Sequence, residues 1–385
     1  NMSSFSASAP VGSWLTAQTT ADEISQIVDF LTAQGTFRFP SLPNGLFSAG
    51  AGEGDDFEST GYRNIWVRDN IHIAWAHWFV TGESAATCRC VQAILSFYHR
   101  HLHKFTDIIE GRVSAADPMD RPHVRFDGDQ LSELPEKWSH AQNDALGYLL
   151  WLVCELVAAD QFALTAETAD VVTALVHYWQ AIRFWEDEDS GHWEEARKIE
   201  ASSVGTAVAG LRGLRNLLDR AEVQAACAAT RHPVSAAIVD ELNRAGTDAL
   251  NSILPAECVQ PDPKKNRQHD AALLFLIWPL NVVDRRMAET IVQQVKDHLQ
   301  GNIGIRRYNG DSYWCADYKQ LLKADERTTD FSDNMDARDS LLKPGMEAQW
   351  CIFDPIISCI CGQWAIASED GPAITRSEAA VLQQE

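Results

Sequence analysis

The chain has 385 residues, 45 % hydrophobic and 22 % charged, and its 54 acidic against 32 basic side chains leave a formal net charge of −22. That acidity argues against nucleic-acid partners and anionic membrane surfaces, both of which select for Lys/Arg patches. No apolar run approaches the ~18 residues of a membrane span, and the length admits two or three average domains or one large barrel.

The start, Asn1-Met2-Ser3-Ser4, lacks a basic n-region and an apolar h-region, so no signal peptide is expected. Asn1 ahead of Met2 reads as foreign to the protein, and the one Asn-x-Ser/Thr acceptor falls on it. Residues 1–19 are expected to be an N-terminal extension. Thr20-Ala21-Asp22-Glu23 then forms a capping box, with Ile24, Ile27, Val28 and Leu31 at i, i+3, i+4, i+7 and Gly35 closing the helix. A Pro/Gly-rich stretch near Phe37–Phe47 is the best candidate for a hairpin. Ile71, Ala74, Trp75, Trp78 and Phe79 mark a second helical stripe; Val91, Ile94, Leu95, Tyr98 and Leu102 mark a third. Further helical patterns run over about 144–159, 168–185, 202–219, 234–253, 270–280, 286–299 and 346–361.

Roughly ten to twelve helices without a clear linker predict one all-α domain over 20–385. Two concentric rings suit the pattern, because inner helices are apolar all round and outer ones amphipathic. Ala271–Pro279 has the inner character. The nine cysteines, Cys88, Cys90, Cys154, Cys227, Cys258, Cys315, Cys351, Cys359 and Cys361, are odd in number and mostly set within apolar helical patterns. Buried thiols in a reducing, cytoplasmic setting are expected rather than a disulfide framework. No cofactor or metal site is expected. His99, His101 and His103 alternate within a helical pattern and so spread around it, and Asp330, Asp333, Asp336 and Asp339 recur every third residue, unlike EF-hand ligands.

Five polar segments between helices combine Trp or Tyr with Arg, Asp or Glu: 61–70, 122–144, 185–195, 301–314 and 343–350. Sugar sites need that mixture, with flat apolar faces for C–H surfaces and charged groups for vicinal hydroxyls. In Trp66-Val67-Arg68-Asp69 a guanidinium beside a carboxylate can clamp neighbouring hydroxyls; a structural ion pair at a helix start is the plainer alternative. Within Trp138–Asp144, Asp144 is either a site carboxylate or a simple helix N-cap. His192-Trp193-Glu194-Glu195 places a carboxyl beside an aromatic wall, where desolvation raises its pKa, although an acidic helix start would also explain it. Arg307, Asp311 and Tyr313 surround the turn dipeptide Asn309-Gly310. Glu347 lies in Gly345-Met346-Glu347-Ala348-Gln349-Trp350, where it could equally be a helix N-terminal carboxylate.

Together these segments, in consistent order over about 20–365, resemble the glucoamylase family of glycoside hydrolases (family 15), which includes the barrels of phosphorylase kinase regulatory subunits. The resemblance implies an (α/α)6 barrel and cleavage of glucose from non-reducing ends with inversion. Trp66, Arg68 and Asp69 correspond to the family's W-x-R-D element, with Arg68 and Asp69 on the glucosyl hydroxyls. Trp138 would cover the scissile region, supported by Gln142 and Asp144. In the W-E-E motif, Trp193 precedes Glu194, the general acid, and Glu195, a binding residue. Arg307 would bind hydroxyls, with Asp311 and Tyr313 nearby. Glu347 stands where the family carries its general base, although Met346 replaces the usual Ser and Glu-Ala-Gln-Trp is closer to the kinase subunits.

A protonated Glu194 donating to the glycosidic oxygen, and an ionised Glu347 activating water, imply carboxyls roughly 6.5–9.5 Å apart. The expected substrate is a short α-glucoside, isomaltose ahead of maltose and trehalose, acted on by a chain that is plausibly a monomer. The acidic stretch Cys315–Arg338 is expected to narrow the site. A sugar-binding regulatory module and an α,α-trehalase are the alternatives.

Overall fold

A computed structural model describes residues 19–50 and 61–367. The N-terminal extension, apart from Thr19, lies outside the described residues, as do residues 51–60 and 368–385. The chain divides into two compact units, residues 40–353 and residues 1–39 with 354–385.

In the smaller unit, helix α1 (Ala21–Ala33) begins at the expected capping box. Thr20 N donates to Glu23 Oε2 at 2.7 Å and Glu23 N to Thr20 Oγ1 at 3.3 Å.

The larger unit is built from helices α2 (Val67–Thr81), α3 (Ala85–Arg100), α4 (His103–Ile109), α5 (Asn143–Ala158), α6 (Ala166–Ile182), α7 (Ala201–Leu217), α8 (Ala221–Ala228) and α9 (Ala236–Ile253). Short α10 (Leu274–Ile277), then α11 (Arg285–His298), α12 (Tyr318–Leu321) and α13 (Met335–Asp339) follow, and α14 (Phe353–Ala367) begins at the unit's last residue. Helix α5 packs against α2 and α7; α3 packs on α2, α9 on α7, and α6 on α3 and α4. The burial pattern divides accordingly. Nearly every residue of α5 is buried, whereas α11 buries only Ala288, Ile291, Val292 and Val295 on one stripe. Close approach of α5 and α7 depends on glycine: a Cβ on Gly147 would lie 2.7 Å from the Thr206 carbonyl carbon.

Several elements depart from the sequence pattern. The stretch 270–280 is one 3₁₀ turn (Ala271–Leu273) followed by α10. Pro279 cannot continue a helix and biases the preceding Trp278 to its extended conformation (φ −143°, ψ 127°). Residues 42–46 form a hydrogen-bonded turn, not a hairpin. The helix expected from 346 starts only at Phe353, because Trp350 exchanges backbone hydrogen bonds with Ile305. The His99–His103 triplet straddles the break between α3 and α4 instead of lying within a helix.

A small antiparallel sheet went unforeseen: β1 (Ile65–Trp66), β2 (Arg125–Asp127) and β3 (Ser132–Glu133), with Trp66 opposite Arg125. All nine cysteines are described, and none is in a disulfide. Among the described residues no helix is long and apolar enough to cross a membrane, and no cluster of three His, Cys, Asp or Glu residues is placed to hold a metal ion.

Candidate active site

Three of the five predicted polar segments, 61–70, 122–144 and 185–195, meet near the N-terminal ends of α2, α5 and α7. Arg68, in the first turn of α2, is the hub. Its Nη1 donates to Gln142 Oε1 (2.9 Å) and Asp144 Oδ2 (2.8 Å), and its Nη2 to Glu194 Oε1 (3.3 Å). Gln142 Nε2 also donates to Glu194 Oε1 at 3.1 Å. Asp144 is therefore not the N-cap of α5; Gln142 holds that position, and Asp144, wholly buried, serves as the counter-ion of Arg68. Burial works against that charge, but Arg68 holds the Asp144 carboxyl below its ordinary value.

Glu194 sits in a turn, not at a helix start, since α7 begins only at Ala201. Its φ of +58° lies in the left-handed region, as does the φ of +54° at Gly191, where any side chain would overlap the Glu200 carboxylate. Two strands of loop are stitched together behind this turn. Ser190 N donates to Ala141 O (2.7 Å), and Asn143 N to Asp189 Oδ2 (2.7 Å). The Glu194 side chain keeps 20 % exposure. Burial raises its pKa, and Arg68 and Gln142 pull it back only in part.

The adjacent Glu195 has the opposite environment. Its side chain is 1 % exposed; Oε2 receives Arg267 Nη2 at 2.7 Å, and Oε1 receives Arg338 Nη2 at 2.5 Å together with the Tyr308 hydroxyl. Burial would raise its pKa, but Arg267, Arg338, Lys198 and Arg307 together hold it well below the usual carboxylate range. The two neighbouring carboxyls are thus pushed in opposite directions, Glu194 up by burial and Glu195 down by the cations around it. Glu195, expected on the substrate, is turned into the protein with both oxygens engaged.

Aromatic groups wall the site. Arg125 lies with its guanidinium carbon 5.0 Å from the Trp66 ring and 4.4 Å from the Trp138 ring. Trp193 Nε1 donates to Asp270 Oδ1 at 2.9 Å. Arg307 is chelated by Asp311 (2.6 and 2.7 Å) and lies 4.8 Å from the Trp193 ring and 4.7 Å from that of Tyr313. The Tyr313 ring stacks on Trp350, and its hydroxyl meets that of Tyr62 at 3.2 Å. Asp69 stands beside Arg68, its carboxyl pKa raised by burial against the pull of that guanidinium. Among the described residues, the buried donors Arg125 Nε, Trp138 Nε1 and Trp350 Nε1 have no hydrogen-bond partner.

Glu347 lies in the loop before α14, not at a helix start. Its Oε1 accepts from Gly310 N at 2.9 Å, and Oε2 is 3.8 Å from Arg306 Nε, so its contacts run to the loop of Arg307 rather than to the Arg68 hub. Gln349, two residues on, accepts from Ile303 N and Gly304 N.

Arg125, Tyr62, Arg267, Asp270 and Arg338 escaped the sequence reading. Arg125 and Tyr62 at least fell inside aromatic-rich segments; Arg338 carried no signal beyond lying in an acidic stretch.

A family model, "Glycosyl hydrolases family 15", matches residues 40–321. The chain belongs to glycosyl hydrolase family 15. Among curated proteins it is 25 % identical over 342 residues to a probable phosphorylase b kinase regulatory subunit alpha of Caenorhabditis elegans, covering 81 % of this chain and 25 % of that protein. It is 25 % identical over 276 residues to the skeletal muscle isoform of the alpha subunit from Oryctolagus cuniculus (65 % and 21 % covered). The chain thus spans about a quarter or less of the length of these relatives.

Among solved structures, a wild-type glycosidase superposes with TM-score 0.60 at 18 % identity, covering 95 % of this chain and 97 % of that one. The glucoamylase of Saccharomycopsis fibuligera gives 0.54 at 12 % identity (90 % and 74 % covered). A bacterial glucoamylase solved with acarbose gives 0.50 at 11 % (84 % and 43 % covered). The fold of this family 15 chain is accordingly the all-α (α/α)6 barrel of glucoamylase-like proteins.

Proposed function

We propose that this family 15 protein is an inverting exo-α-glucosidase that releases β-glucose from the non-reducing end of a short α-glucoside, isomaltose foremost. The observation that carries the reading is the divided pair Glu194–Glu195: a carboxyl with raised pKa, held by Arg68 and Gln142, next to a locked carboxylate.

Glu194, protonated, donates to the glycosidic oxygen, and the leaving sugar departs with that proton. Glu347, ionised, takes a proton from the water that attacks the anomeric carbon from the opposite face, which requires the two carboxyls to stand roughly 6.5–9.5 Å apart. Arg68, Asp69 and Arg307 hold the glucosyl hydroxyls, with Asp144, Gln142 and Asp311 fixing the guanidinium groups. Trp66, Trp138, Trp193 and Tyr313 supply the apolar walls. Arg125, lying against Trp138, faces the leaving-group sugar, and Glu195 positions its neighbour rather than touching the substrate.

The second reading is a sugar-binding regulatory module. It is favoured by the kinase-subunit relatives and by Glu347, whose carboxylate is tied to Gly310. Isomaltose, maltose and trehalose offered to the wild type, Glu194→Gln and Glu347→Gln decide between the two. Turnover by the wild type, lost in each variant with folding intact, supports the enzyme. Sugar binding without turnover supports the module, and preference for trehalose would make the protein a trehalase.

A further inference from the structure

The family match ends at residue 321, yet a residue beyond it reaches into the family's own motif. Arg338, on α13, is 4 % exposed. Its Nη2 donates to Glu195 Oε1 at 2.5 Å and lies 3.4 Å from the Tyr308 hydroxyl, and its Nε donates to Ser312 Oγ at 2.9 Å. Ser312 in turn donates to Asp339 Oδ1 at 2.6 Å, and Arg338 stands 3.8 Å from Asp311 Oδ1, a ligand of Arg307.

The segment that carries Arg338 is braced along its length. Tyr318 hydroxyl donates to Arg327 O (3.1 Å), and Lys343 pairs with Asp317 (2.9 Å). Lys137, next to Trp138, pairs with Asp333 and lies 4.0 Å from Asp330. Residues 315–343 therefore join the Trp138 side of the site to the Glu195 side.

The backbone of Glu194 gives this brace a use. A non-glycine residue in the left-handed region persists only where its surroundings over-determine it. Both neighbours of Glu194 are pinned, Trp193 by Asp270 and Glu195 by Arg267 and Arg338.

We propose that Arg338 is a positioning residue for the acid–base chemistry, and that segment 315–343 is a built brace holding Glu194 in its productive turn. This rests on the reading of Glu194 as general acid. Arg338 does not touch substrate; through Glu195 it fixes where the Glu194 carboxyl points.

The test compares wild type, Arg338→Met, Arg338→Lys and Ser312→Ala by steady-state kinetics on the preferred α-glucoside, and by crystal structures of the folded variants. Arg338→Met should lower kcat by about 10²-fold, the scale of a small misplacement of a reacting group, with KM changed less than about threefold. Its structure should show the Glu194 turn relaxed away from positive φ. Arg338→Lys should recover at least about tenfold of the lost kcat, since one ammonium still reaches Glu195, and Ser312→Ala should give an intermediate loss. If Arg338→Met does not fold, the Lys and Ala variants carry the same comparison.

A kcat within about twofold of wild type with Glu194 unmoved overturns the proposal, as does an equal loss in the Met and Lys variants that follows Tm alone. If the wild type cleaves no glycoside, the general-acid reading fails on its own. The Arg338→Met structure then decides the brace: a relaxed Glu194 supports it, and an unmoved one overturns it.

Discussion

Replacing Arg68 by Met removes the cation on which Gln142, Asp144 and Glu194 converge. Asp144 is wholly buried, and in the wild type burial lowers the pKa of His192, 3.6 Å away, to about 4, which makes that imidazole a poor replacement for the guanidinium. The variant therefore strands a buried carboxylate, at a cost of about 3–5 kcal/mol. At about 2.1 cal/mol/K per residue over 385 residues, the unfolding entropy is roughly 0.8 kcal/mol/K, so Tm should fall by roughly 4–6 °C.

The pH profile adds a sign. Burial raises the Glu194 pKa and Arg68 lowers it, so loss of Arg68 lets Glu194 keep its proton to higher pH. The alkaline limb of kcat/KM should move up, while kcat drops about 10²-fold from lost positioning. Asp144→Asn should act in the opposite direction, because an Arg68 freed of its counter-ion pulls harder on Glu194 and brings the limb down. Scanning calorimetry and pH–rate profiles of the two variants check this together. An unchanged Tm in Arg68→Met, or limbs that move in the same direction, would refute the hub.

Other outcomes follow from the buried carboxylates. Glu195→Gln takes its carboxylate partner from Arg338 and leaves Arg267 with Asp270 alone, and should cost about 3–5 kcal/mol by denaturant unfolding, with hydrolysis lost as Glu194 loses its anchor. Burial pushes Glu200 up to about 8, above its ordinary 4.5. Its contribution to stability is thus fully present below pH 4.5 and lost as pH rises through 8. Glu200→Gln should leave Tm nearly unchanged at pH 5 and raise it relative to wild type at pH 9; an equal Tm difference at both would count against that assignment. Glu194→Gln should lower kcat by about 10²–10⁴-fold with Tm preserved, as measured by glucose release and calorimetry.

Most helices are legible from their 3.6-residue period, and the capping box at Thr20–Glu23 stands as read. The period misled where backbone chemistry overrode it, at Pro279 and at the Ile305–Trp350 bridge that delays α14. Helix α8 (Ala221–Ala228) was missed because its Ala-rich segment buries only Val223 and Cys227 and shows no apolar stripe. In the site, short contiguous motifs announced Arg68, Gln142, Asp144 and Glu194, which the fold brings into direct contact. The partners of Glu195 come from 72, 113 and 143 residues away, and separations of that kind leave no local pattern to read. Arg125 is seated on Trp66 by a two-residue sheet pairing, too short to show as alternation.

The central claim is that a water activated opposite Glu194 attacks the glucosyl carbon. Proton NMR of the anomeric region during action on isomaltose, maltose and trehalose tests it most directly. Inversion predicts β-glucose as the first anomer to appear, with isomaltose turned over fastest and α-glucose growing in only by mutarotation. Early α-glucose would contradict the two-carboxylate water mechanism, and no glucose from any of the three would contradict the enzyme reading itself.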